Sequence, residues 1–335
     1  MKKLLLLLLL PFIGFAQNQY NYGFNSPTAT MIGVDGWTRT NQSDLPSATS
    51  LWTVASYTPV VVNTAATPPV NATPFQNQAY TNGQTCPTPN GQAGGANSFS
   101  LVNYTSTTST ASSGATISNW LISPVVSLQN GDIITFYTRI GKYSATGTAS
   151  YADRLELRLS TSGAFSAAPS TGSADVGDFT NLLVSVNPNL VLSGPGSYPG
   201  NWTQFSYTVS GLTGIVDCEL GFRYFVTDGG SAGSNSDIIG IDTLSIDRPL
   251  STNQFFTNNF TIQPNPVNDI FTVSSKNDTA IQNITVTDIN GRVVSEVSPK
   301  AMSQIQVNVS ELNSGVYFVK VQSEAGVGTS KIIKK

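Results

Sequence analysis

Apolar residues recur along the chain at every second position or in short continuous runs, never at a sustained helical spacing. The stretch "ADRLELRLST", 152–161, sets Leu155, Leu157 and Leu159 on one side and Arg154, Glu156 and Arg158 on the other. That period predicts a half-buried antiparallel strand with a solvated charge ladder on its outer face. "NWLISPVVSL" (119–128), "DIITFYTRIG" (132–141), "WTQFSYTVSG" (202–211), "CELGFRYFVTD" (218–228) and "IIGIDTLSID" (238–247) read as further strands, separated by turn-forming residues. The fold class is all-β.

The same pattern divides the chain. Residues 17–248 form one large domain whose first hundred residues are rich in loops, with "TAATPPVNATP" (64–74) and "TCPTPNGQAGGAN" (85–97) as long surface connections. Residues 249–259 have no periodicity and read as an interdomain linker, with Phe255 and Phe256 placed to dock on a neighbour. Residues 260–335 carry seven short strand segments at even spacing, with Asn290-Gly291 as a hairpin turn, and predict a small antiparallel β-sandwich. Residues 1–16 are a different kind of segment. Lys2 and Lys3, an apolar run to Phe15, and small residues Gly14 and Ala16 make a secretory signal peptide cut after Ala16. No later run reaches the roughly 20 apolar residues of a membrane-spanning helix.

Composition narrows the chemistry. Without Lys2 and Lys3, 14 basic residues face 19 acidic ones, a balance that disfavours nucleic acid and anionic membrane surfaces as partners. The chain has no histidine, which excludes Ser-His-Asp and Cys-His catalysis and imidazole zinc sites. Export permits a disulfide between Cys86 and Cys218; the alternative is two free thiols, one in a loop and one in a strand.

The C-terminal segments "IQPNPVND", "ITVTDINGRVV" and "LNSGVYFVKVQSEAGVGTSKIIKK" resemble the C-terminal sorting domain of the type IX secretion system of Bacteroidota. The resemblance implies export to the outer cell surface or beyond, with the secretion machinery as partner and Gly315, Tyr317, Lys331, Lys334 and Lys335 in the sorting signal. The segments "NWLISPVVSLQNGDIITFYTRIG", "YADRLELRLSTSG" and "CELGFRYFVTD" to "SDIIGIDTLSI" are similar to the cleaved-adhesin and choice-of-anchor J modules. That likeness implies a jelly-roll β-sandwich for the large domain. Family members often carry two adjacent Asp in the last strand, where this chain has Asp242 followed by Thr243.

Three kinds of site remain in view. Calcium needs several hard oxygens, usually on loops. Asp228 and Asp237 in "TDGGSAGSNSD", with Asp153, Asp242 and Asp35, are the candidate ligands for a structural ion of the kind such jelly rolls hold. Aromatic side chains can form a ligand face, and Trp37, Trp52, Tyr143 and Tyr151 are its candidates, while Trp120 and Trp202 are expected in the core. A hydrolase would need an acid pair drawn from Asp153, Glu156, Asp228, Asp237 and Asp242. With no other catalytic machinery in the sequence, the expected function is binding or adhesion: recognition of a glycan or a surface protein, not catalysis. A structural surface component without a small ligand is the alternative.

Overall fold

The computed structural model describes residues 16–25, 35–76, 78–142, 151–162, 169–249, 252–276, 278–299, 302–324 and 326–335. The signal peptide expected over 1–16 lies outside these residues except for Ala16. Two compact units divide the chain, one spanning Asn18–Asp247 and the other holding Arg248–Lys335.

The large unit is built on β1 (Ala16–Tyr22), β2 (Thr38–Asn41), β3 (Thr53–Val54), β4 (Val60–Val61), β5 (Thr85–Cys86), β6 (Ser100–Asn103), β7 (Ala115–Ile122), β8 (Val126–Leu128), β9 (Ile133–Ile140), β10 (Leu155–Ser160), β11 (Asn181–Val186), β12 (Thr203–Thr208), β13 (Val216–Gly229) and β14 (Ile238–Pro249). One sheet runs β12-β9-β14-β6-β3, with β1 also on β14; the other runs β11-β10-β13-β7-β2, with β8 on β13. The chain crosses between the sheets at β1 to β2, β2 to β3, β6 to β7, β8 to β9, β9 to β10, β11 to β12, β12 to β13 and β13 to β14. Such crossings let two antiparallel sheets close over one core. Ile134, Phe136, Ile239 and Ile241 of the first sheet pack with Leu121, Leu155, Leu157 and Phe222 of the second. Phe136 meets Phe222 edge to face at 5.2 Å across the sandwich.

The expected charge ladder on β10 is not solvated. Leu155, Leu157 and Leu159 do face the core, but Glu156 on the opposite side is only 1% exposed. Residues 169–180 lie across that face: Phe179 packs on Trp120 at 5.5 Å, and the Ser173 carbonyl accepts a hydrogen bond from Arg223 Nη2. Period 2 reports which side chains share a face, and it cannot report that a distant loop returns to cover the second face.

The small unit begins with α1 (Thr252–Asn259), followed by β15 (Phe260–Gln263), β16 (Ile270–Ser275), β17 (Ile281–Thr287), β18 (Val293–Val297), β19 (Gln304–Asn308), β20 (Gly315–Ser323) and β21 (Gly326–Lys334). A sheet of order β15-β16-β19 and a sheet of order β18-β17-β20-β21 enclose a second core of Phe260, Phe271, Val273, Ile284, Val319, Val321 and Ile332. All seven expected strands form. The linker expected at 249–259 instead contains α1, whose Phe255 and Phe256 are buried in this core. Asn and Thr give that segment no helical signal, so burial of the two rings holds it. Gly328 on β21 permits the approach, since a Cβ there would lie 2.8 Å from Phe256 Cα.

Candidate functional site

On the outer face of the first sheet, the strand register places a row of four residues. Thr203 pairs with Thr138, so Trp202 stands beside Arg139. Arg139 pairs with Gly240, and Gly240 with Leu101. Gly240 leaves the row without a side chain at its middle. A Cβ there would come within 3.1 Å of both Phe75 Cε1 and Trp202 Cη2, so the two rings settle into the space. Phe75 reaches it with φ at 69°, a left-handed conformation that bulky residues seldom adopt outside constrained sites.

Above this floor Phe75, Gln76, Gln78 and Tyr80, just after the first long connection, and residues 87–91 of the second bound a cavity of ≈ 520 Å³ with Arg139 and Trp202. That size lies within the range of about 300–1,000 Å³ common for small-molecule sites. Its walls are cross-braced. Gln76 Nε2 donates to the Pro87 carbonyl at 2.6 Å, Gln78 Nε2 to the Tyr80 hydroxyl at 2.9 Å, and Trp202 Nε1 to the Asn90 carbonyl at 3.3 Å. Arg139, 4% exposed, holds its guanidinium 5.9 Å from the ring centres of both Phe75 and Trp202. Burial lowers its pKa to about 10, which leaves it a cation at neutral pH.

Asp242 fixes one wall. Its Oδ2 accepts from Gln92 N at 2.6 Å and Ala93 N at 3.0 Å, and its Oδ1 from Thr243 N at 2.7 Å. The carboxylate therefore anchors the loop that carries Asn90 and Gly91. Burial pushes its pKa up to about 6 against those hydrogen bonds.

The aromatic candidates fare differently from expectation. Trp37 and Trp52 are 0% exposed and cannot form a ligand face. Trp37 packs among Tyr22, Phe24 and Phe222, and Trp52 Nε1 donates to the Asn119 carbonyl at 3.0 Å. Flanking loop composition does not exclude burial when the loop itself packs inward. Tyr151 is exposed but does not line the cavity, and Tyr143 lies outside the described residues. Trp120 is in the core as expected, whereas Trp202, also expected there, is only half-buried and lines the cavity. The available signal for the site was Gly240 inside the strand segment 238–247, together with the two loops rich in Pro and Asn far upstream.

The five calcium candidates do not converge. All acidic residues lie among the described residues, and no three of them gather where an ion could sit. Asp35 accepts from the Tyr22 hydroxyl at 2.6 Å, Asp242 holds its loop, and Asp228 sits against Gly114. Asp153 and Asp237 do meet: Asp153 Oδ1 accepts from Asp237 N at 2.9 Å and from the Tyr224 hydroxyl at 2.5 Å. Burial raises the Asp153 pKa to about 7. Two acids, one of them driven toward its neutral form, do not fit the several anionic oxygens calcium requires. Nor is there a bridge between the cysteines. Cys86 packs with Val62 and Tyr80 beneath the loops, Cys218 packs in the sandwich core, and both are free thiols.

Glu156 is engaged structurally. Its oxygens receive Arg154 at 2.5 Å, Arg158 at 2.7 Å and Arg223 at 3.2 Å. Burial alone would raise its pKa, but hydrogen bonding from Arg158 and the three positive charges hold it below the usual carboxylate range.

In the small unit, the tail and the P-N-P segment form one feature. Val267 N donates to the Ile333 carbonyl at 2.8 Å and Lys335 N to the Val267 carbonyl at 2.9 Å. Asn265 Nδ2 donates to the Lys331 carbonyl at 2.9 Å, and Ile333 N donates to Asn265 Oδ1 at 3.0 Å. Gly315 pairs with Lys334, and Tyr317 gives its hydroxyl to the Asn313 carbonyl at 2.9 Å. Residues 261–335 match the family described as the secretion system C-terminal sorting domain. Residues 261–335 of the small unit are that sorting domain. It directs the chain through the type IX secretion system to the cell surface or the extracellular space, and no helix among the described residues is long and apolar enough to cross a membrane.

No curated protein matches the chain. Among solved structures it is similar to the K3 cleaved adhesin domain of Lys-gingipain from Porphyromonas gingivalis, at 15% identity and a TM-score of 0.35, covering 70% of this chain and 99% of that one. It is also similar to the K1 cleaved adhesin domain of the same protein, at 16% identity and a TM-score of 0.31, covering 68% and 97%. The CBM51-2 and INT domains of ZmpB from Clostridium perfringens are similar at 10% identity and a TM-score of 0.22, covering 85% and 81%.

Proposed function

We propose that the large unit is a glycan-binding module, delivered to the cell surface or its surroundings by the sorting domain and serving adhesion there. The observation that carries this reading is the cavity on the outer face of the first sheet. It combines aromatic faces (Trp202, Phe75, Tyr80) with side-chain amides (Gln76, Gln78, Asn90). Sugar rings offer the complementary surfaces, apolar C–H faces and a rim of hydroxyls. No acidic residue stands among the described lining residues, so the cavity lacks the carboxylate pair of a glycoside hydrolase and supports binding without turnover.

The test is a glycan array probed with the full chain, followed by calorimetric titration of the best ligand. Trp202→Ala is expected to weaken binding about tenfold or more, from the loss of the aromatic platform. Affinity unchanged in that variant removes the cavity from the reading, and retention on a protein matrix alone points to a protein ligand.

A further inference from the structure

We infer that Asp242, outside the cavity lining, is the positioning residue for the cavity's loop wall and for Trp202, so that ligand affinity depends on a carboxylate no ligand touches. The inference rests on the glycan-binding reading above and adds a residue to that site.

The second long loop is built around this carboxylate. Asn97 N donates to the Pro89 carbonyl and Gly91 N to the Gly95 carbonyl, both at 2.9 Å, so residues 89–97 close on themselves. Their tip turns two successive amides, Gln92 N and Ala93 N, onto Asp242 Oδ2 at 2.6 and 3.0 Å. Successive backbone N–H groups aimed at one oxygen make a small anion-binding nest, and the sheet fills it with a side chain that is 0% exposed. Gly91 permits the approach, since a Cβ there would lie 2.7 Å from Asp242 Oδ2. The strand is bent to present the acid. Its register shifts between Asp242 and Ser245, and Thr243 stands at φ 51°, a left-handed conformation that β-branched residues rarely adopt. From there Thr243 N donates to Asp242 Oδ1 and Thr243 Oγ1 to Gln92 Oε1, both at 2.7 Å.

The loop carries this order onward to the cavity. Its residues 87–91 form part of the lining, and the Asn90 carbonyl accepts the indole N–H of Trp202 at 3.3 Å. A continuous path of backbone and hydrogen bonds therefore runs from Asp242 through the nest and Asn90 to the aromatic platform. Charge-assisted hydrogen bonds to buried amides are the strong kind, and a binding group is only as well placed as the shell that supports it. A carboxylate that only braced the fold would affect melting and leave the indole and the ligand alone. This difference defines the test.

Trp37, Trp52 and Trp120 are 0% exposed and Trp202 is half-buried, so acrylamide quenching of the full chain reads Trp202. Asp242→Asn sets an N–H donor where a carboxylate oxygen met a backbone amide. It is expected to raise that quenching and to weaken binding of the best glycan from the array about tenfold. Both effects are expected to vanish in the Trp202→Ala background, because residues that act through one another are not additive. Thr243→Val removes only the hydroxyl bond to Gln92 and is expected to weaken binding about threefold. Tryptophan-fluorescence melting identifies a variant that fails to fold, and Thr243→Val carries the test if Asp242→Asn does so. Quenching and affinity both unchanged in folded Asp242→Asn overturn the positioning role and leave the glycan reading standing. An affinity loss of equal size with and without Trp202 overturns it as well. No glycan bound by the wild-type chain, with quenching still raised by Asp242→Asn, overturns the glycan reading and keeps Asp242 as the residue that positions the indole.

Discussion

The two units solve the problem of a sheet's second face in opposite ways. In the large unit, loops return over both sheets, and the faces beneath them hold buried charge: Arg139 and Asp242 on one side, Glu156 and Arg223 on the other. In the sorting domain the outer face of the four-stranded sheet stays bare. β20 alternates strictly between buried and exposed positions, Val316 stands opposite Ile333 in the open, and Lys334 is the buried charged side chain among its described residues. A covered face can enclose a cavity and orient a polar group inside it. A bare face over an apolar core offers a surface to be read from outside. Both units rest on apolar packing, and the large unit adds buried charge whose loss should be felt there. All four tryptophans lie in the large unit, so their fluorescence follows that unit alone.

Deleting Lys331–Lys335 should have the largest effect, confined to the sorting domain. It removes Ile332, which is 0% exposed in the core, and with it the C-terminal part of β21, which ties the P-N-P segment to β20. The expected result is a full-length-like melting transition by tryptophan fluorescence, together with protein held in the periplasm by cell fractionation. Surface delivery at the normal level would show that the tail is not needed for the address.

Glu156→Ala is the corresponding cut in the large unit. It strands Arg223, which is buried over Trp120 and Phe225, and uncompensated buried charge costs about 3–5 kcal/mol. The urea midpoint by tryptophan fluorescence should fall accordingly. The same truncation at an exposed strand position of the sorting domain, Lys320→Ala, read by circular dichroism because that unit has no tryptophan, should change stability by no more than about 0.5 kcal/mol. A small effect at Glu156 would mean that water reaches the network, and the two faces would then differ less than the burial indicates.

The same contrast explains what could be read from the chain. The sorting domain was legible strand by strand, because a two-layer sandwich with bare outer faces writes its structure as period 2 and its turns as Asn-Gly. In the large unit the inward faces were equally legible, and Leu155, Leu157 and Leu159 point where the alternation puts them. The outward faces were not. Glu156 read as solvated and Trp37 and Trp52 as candidates for a ligand face, since burial by a loop far away in sequence leaves no local mark. The cavity depends on the same long-range closure: Trp202 read as core because nothing beside it reveals that Phe75 and Asn90 arrive from more than a hundred residues upstream. Gly240 was the one local trace, and a lone glycine in a strand has several meanings. The helix of 252–259 escaped for a related reason, being held by the burial of two rings.

A smaller effect, pH, separates the units without any change in the core. Asp153 and Asp242 have folded-state pKa values raised to about 7 and about 6 from an ordinary value near 3.8, burial being the main cause in both. The folded chain thus keeps protons that the unfolded chain has released. The stabilisation this gives is complete below about pH 4 and is lost as pH rises to about 7, with a slope of at most about 1.4 kcal/mol per pH unit for each group. The charge of Asp237 adds to the effect of burial on Asp153, while the hydrogen bonds from the Tyr224 hydroxyl and the Asp237 amide oppose it. Glu156 acts in the opposite sense, but only below the ordinary glutamate range. The large unit should therefore melt higher near pH 5.5 than near pH 8, and Asp153→Asn, which keeps an acceptor for the Tyr224 hydroxyl, should flatten that slope. The sorting domain has no buried carboxylate among its described residues, so its transition should not move over the same range. If the fluorescence transition also stays fixed, Asp153 is ionised in the folded protein, and the interior around it must be wetter or more positive than its neighbours make it.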